Sequence, residues 1–103
     1  MKICVVFLIV VASFTSAFAA KGTVTNRVRG CDYFLVAVEG SSDFVLMEWY
    51  RGYDPDRGDS VVGKFDSFGF TDVYFGDKES HVWIEDYGMK KSNALEKLFD
   101  KCD

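Results

Sequence analysis

From Lys21 to Asp86 the apolar side chains recur at every second position or fill short unbroken runs, and only beyond Ser92 does the spacing lengthen to that of a helix. Such a chain builds strands, and with no helix between them the strands must pair antiparallel. Residues 21–28 alternate, placing Val24, Asn26 and Val28 on one side and Thr23, Thr25 and Arg27 on the other. Tyr33 to Val38 is apolar on both sides, which predicts a strand covered on both faces. It should form a hairpin with Phe44–Tyr50 across the turn cluster Glu39–Asp43. Val61–Asp66, Phe70–Phe75 and, after a polar turn at Gly76–Ser80, His81–Asp86 complete the set. Ala94, Leu95, Leu98, Phe99 and Cys102 then share one side of a helix that Ser92 is placed to cap. So few strands hide their edges best by closing. The expected fold is mainly β: a small five- to six-stranded antiparallel barrel with a C-terminal α-helix.

The chain is expected to be exported. Lys2, the apolar stretch Ile3–Ala12 and the small residues up to Ala20 follow the three-part pattern of a secretory signal, with Ala17-Phe18-Ala19 as the cleavage site. This divides the 103 residues into a signal at 1–19 and a single domain at 20–103, in the periplasm or outside the cell. Cys4 leaves with the signal. Cys31 and Cys102, 71 positions apart, are then expected to form one structural disulfide.

The turn Gly58-Asp59-Ser60-Val61-Val62-Gly63, following a Gly22-x-Val24 first strand and a doubly apolar second strand, resembles the S1-like OB-fold barrels. The likeness spans residues 22–86, and similar turns occur in SH3-like barrels, so either strand order remains open. Two departures stand out: the segment before Gly58 has no room for the helix those domains place there, and the helix comes last. Their nucleic-acid function does not carry over, because the residues that would perform it are unmatched.

Candidate chemistry is thin. His81 is the single histidine and alternates with Trp83 and Glu85, which suggests an outward or half-buried face. Asp54, Asp56 and Asp59 hint at a calcium loop, but the glycine comes one place early and Phe65 stands where a bidentate Glu is needed. No metal or cofactor is expected. Arg57-Gly58-Asp59 is the tripeptide of integrin ligands, yet it already has a turn role here. Asp54, Asp56, Glu85 and Asp86 supply carboxylates for acid–base work, with no sign of a raised pKa.

The aromatic content says more. The chain has 10 Phe, 5 Tyr and 2 Trp, and all but Phe7, Phe14 and Phe18 lie beyond the signal. Phe34, Phe44, Phe65, Phe70 and Phe99 are the expected core rings, and the remainder exceed what so small an interior can hold. A binding face is therefore expected around the Arg51–Asp59 loop, built from Trp49, Tyr53, Asp54, Asp56 and Asp59 with Trp83 beside it. The formal charge is −4, and loss of Lys2 would make it one unit more negative, so phosphate polymers and anionic membranes are repelled. The expected role is a non-catalytic module that binds or inhibits a protein, peptide or saccharide partner; the alternative is a small hydrolase working through carboxylates.

Overall fold

The computed structural model describes residues 19–103, so the signal assigned to residues 1–19, with Cys4 and all of the cleavage site except Ala19, lies outside the described residues. The elements follow in the order β1 (Ala20–Arg27), β2 (Tyr33–Val38), β3 (Phe44–Gly52), β4 (Ser60–Gly63), β5 (Gly69–Phe75), β6 (Lys78–Met89) and α1 (Lys91–Cys102). The strands close into a barrel in the order β1-β2-β3-β6-β5-β4, every neighbouring pair antiparallel. An even number permits this, whereas a closed ring of five forces at least one parallel pair.

Strand β1 pairs with both β2 and β4, and Gly22 is the residue shared between Val38 and Val61. A β-carbon there would lie 2.6 Å from the Ala37 carbonyl oxygen, so only glycine lets the two backbones approach closely enough to close the ring. The β4–β5 seam is the thinnest, with Val62↔Tyr74 as its one bridge.

Two cores share the wall formed by β2 and β3. Inside the barrel lie Val24, Phe34, Val36, Val45, Met47, Val61, Phe65, Val73, Phe75, Val82 and Ile84. Outside it, Leu35 and Leu46 are covered by Ala94 and Leu98 of α1, with Met89 at the margin. This accounts for the doubly apolar run in β2. The disulfide joins Cys31, just before β2, to Cys102, the last residue of α1, with Cα atoms 5.4 Å apart.

Several expectations need correction. Pairing slips between Val24 and Asn26, leaving Thr25 as the extra residue of a bulge. The alternation reverses beyond it: Arg27 sits opposite Phe34 and over its ring, while Val28 is exposed. Strand β6 starts at Lys78, three residues earlier than expected, because the turn is only Gly76-Asp77 and Ser80 points inward. Phe70 and Phe99 are not core rings; they are 53% and 58% exposed. On β5 the inward positions belong to Val73 and Phe75, which puts Phe70 on the outer face. Phe44 is half-buried on the helix side. Ser92 lies within α1 instead of capping it. The capping position is Lys90, which makes no side-chain cap and instead reaches Asp43 at 3.2 Å. Packing of the apolar stripe, not end chemistry, holds this helix.

Candidate aromatic-acidic face

Five of the six expected site residues lie at one end of the barrel, where the 53–59 loop folds back over the opening. Its groups are largely paired within the protein. Tyr53 packs on Phe75 and donates its hydroxyl to Asp59 at 2.8 Å, and that same carboxylate accepts the Asp56 backbone N–H. The Asp59 bond, then burial and the nearby Asp56 and Asp54 charges, push the Tyr53 phenol above its ordinary pKa. Trp49 lies against the barrel core and donates its indole N–H to the Tyr53 carbonyl, which also accepts from Ser80. Asp54 pairs with Arg27 at 2.7 Å, and the guanidinium also bonds the Pro55 and Cys31 carbonyls. Paired backbone bonds between Val24 and the Gly58-Asp59 turn stitch the loop to β1.

These contacts make the loop a cap on the barrel, and they give Tyr53 a load that a protruding loop ring would not carry. Tyr53→Ala is expected to lower the unfolding free energy by about 2 kcal/mol, the loss of a partly buried ring and its hydrogen bond. A denaturation curve matching wild type would show that the loop holds without it.

The sixth residue, Trp83, lies elsewhere. Its neighbours on β6, Val82 and Ile84, point into the barrel, so Trp83, His81 and Glu85 face outward as their alternation suggested. On the flanking strands the outward positions carry Glu48 and Tyr50 of β3 and Phe70, Asp72 and Tyr74 of β5. Phe70 is the hub. Tyr50 and Trp83 each meet it edge-on with centroids 4.8 Å apart, and His81 stacks on it at 5.0 Å and 10°. Phe70, Tyr50 and Tyr74 are exposed.

Carboxylates surround these rings. Asp72 lies 2.8 Å from His81 Nδ1, and that contact holds its pKa below the usual carboxylate range. Glu85 accepts from the Trp83 indole at 3.2 Å and pairs with Lys101 at 3.3 Å. Tyr50 leans on Glu48 at 3.4 Å. Tyr33, on the neighbouring strand, is pushed up to about 12 by burial and then by the Glu48 carboxylate beside it. Glu79 raises the Tyr74 phenol in the same way.

Sequence reasoning reached Trp83 and the outward face of β6, but it placed Phe70 in the core and did not single out Asp72. The available signal was Phe70-x-Asp72-x-Tyr74, an aromatic and acidic alternation opposite the Val73 and Phe75 positions. Among the described residues, no group of three or more His, Cys, Asp or Glu is placed to hold a metal, and no helix is long and apolar enough to cross a membrane. No family model, curated protein or solved structure matches this chain.

Proposed function

We propose that the protein is an exported, non-catalytic binding module that recognises a partner through the outer face of β3, β6 and β5. The observation that carries this reading is the cluster around Phe70: Tyr50, His81 and Trp83 each pack on that ring, on a sheet face where large apolar groups stay open to water. A folded domain leaves such a cluster uncovered at a cost in apolar exposure, and rigid rings with polar rims supply contact area with little ordering entropy. Export fits the leader pattern and the Cys31–Cys102 disulfide, a bond kept in oxidising compartments.

The alternative of a carboxylate hydrolase has less support. Such an enzyme needs converging carboxyls free to act on a substrate, and three of the four candidates are held in ion pairs, Asp54 with Arg27, Glu85 with Lys101 and Asp86 with Lys97. The acidic surroundings of the rings also argue against a nucleic-acid role of the kind OB-fold barrels perform.

The reading is tested with peptide and saccharide arrays probed by wild type and Phe70→Ala. Because Phe70 is 53% exposed, its loss should cost no more than about 1 kcal/mol of stability. If it anchors a partner, the same change should weaken binding by about 2 kcal/mol or more. An array pattern identical for the two proteins would refute the proposal.

A further inference from the structure

Resting on that reading of the face, we infer that its partner is an extended, lysine- or arginine-bearing peptide whose cationic side chains settle on the exposed rings between carboxylates. The protein already shows the arrangement once within itself on this surface. Lys101 places its ammonium 5.6 Å from the centroid of Tyr33 and pairs with Glu85 at 3.3 Å, a ring and a carboxylate sharing one cation. A ring beside a carboxylate recurs next to it as Tyr50 with Glu48 and Tyr74 with Glu79, and Asp72 borders Phe70 through His81, which stacks on that ring and meets the carboxylate. Among the described residues, no lysine or arginine lies over the rings of Tyr50, Phe70 or Tyr74.

Charge complementarity selects the class of partner. The face gathers Glu48, Asp72, Glu79 and Glu85 against Arg51 and Lys101, so its balance is negative. An aromatic surface of that sign attracts ammonium and guanidinium groups through both the ring quadrupole and the carboxylates. Spacing selects the shape. Phe70, Asp72 and Tyr74 lie two residues apart on one side of a strand, roughly 7 Å from each to the next. Alternate side chains of an extended peptide share that repeat, so a Lys-x-Lys-x-Lys segment laid along β5 sets its outer lysines at the two rings, about 14 Å apart, and its middle one at Asp72. A neutral saccharide would use the rings and leave the carboxylates partly unpaired.

The test uses the full disulfide-bonded domain and three probes: an alternating lysine–serine octapeptide, the same peptide with every lysine ε-acetylated, and a neutral β-glucan hexasaccharide. Binding is followed calorimetrically. The lysine peptide is expected to bind, acetylation to weaken it by about tenfold or more, and Phe70→Ala to weaken it about thirtyfold, the size of one hot-spot contact. Added salt should weaken it as well, since exposed charge pairs are screened. Equal binding of the acetylated peptide, or Phe70-dependent binding of the glucan alone, would overturn the cationic inference while upholding the face as a recognition surface. Failure of the lysine peptide to bind at millimolar concentration would overturn the inference too. Lysine-peptide binding that survives Phe70→Ala unchanged would overturn both the inference and the reading beneath it.

Discussion

Protein carrying Cys31→Ser together with Cys102→Ser is expected to lose about 4 kcal/mol of unfolding free energy, the loop-closure contribution of a bond that joins residues 71 positions apart. That is a large share of the ~5–15 kcal/mol that holds a domain of ordinary stability. The native state suffers as well. The bond anchors the last turn of α1, and the carbonyl of Cys31 is one of the acceptors that position Arg27 over the Phe34 ring. Reversible denaturation of the double-serine protein, or of wild type held in reductant, measures the effect. A loss below about 1 kcal/mol would mean that helix packing alone seats the C-terminus and that the unfolded chain gains little freedom from the cut.

Gly52→Ala should be nearly as damaging, with an expected loss of about 3 kcal/mol from two additive causes. Gly52 has φ of +95°, a conformation that resists any β-carbon. An added methyl would also meet the Glu79 carbonyl oxygen and the Cα of Ser80, which are backbone atoms of β6 and cannot swing aside. Relief requires the end of β3 to lift off β6, and the next residue in the chain is Tyr53. Its N–H bonds the same Glu79 carbonyl at 3.0 Å, so the barrel cap should loosen with it. Near-ultraviolet circular dichroism of the variant should therefore change along with the denaturation midpoint. A midpoint within experimental error of wild type would show that β3 yields there at no cost.

Much of the architecture was legible because glycine and polar clusters separate the strands, although β4 ends at Gly63 instead of Asp66 and β6 runs three residues further at both ends. Tyr33–Val38 sits between glycine or polar clusters and has the bounds expected of it, and the helical period of Ala94, Leu95 and Leu98 marked α1 to within a residue. The doubly apolar second strand correctly implied cover on both faces. What escaped was side, not element. A bulge at Thr25 reverses inside and outside, and alternation cannot register a residue that the partner strand skips. On β5 apolar residues occupy both parities, so Phe70 and Phe75 compete for the interior on equal terms until β6 and β4 fix the register. The candidate face was half visible for the same reason. Trp83 was found as an outward ring, but its partnership with Phe70 and Tyr50 depends on strands that are distant in sequence. The loop acids were misleading in another way. Asp54 and Asp59 satisfy Arg27 and Tyr53, contacts that composition cannot distinguish from a waiting ligand site.

The covalent link between the start of β2 and the end of α1 encloses every later turn of the barrel, from Glu39 to Lys90. Outside a cell, proteases find such turns first. A single nick in any of them leaves one molecule of nearly unchanged mass, because the two fragments stay tied through sulfur and the barrel can keep both in register. Only a second cut, or a reductant, releases a piece. The staple therefore confers endurance as well as equilibrium stability: damage to the chain need not end the surface it presents.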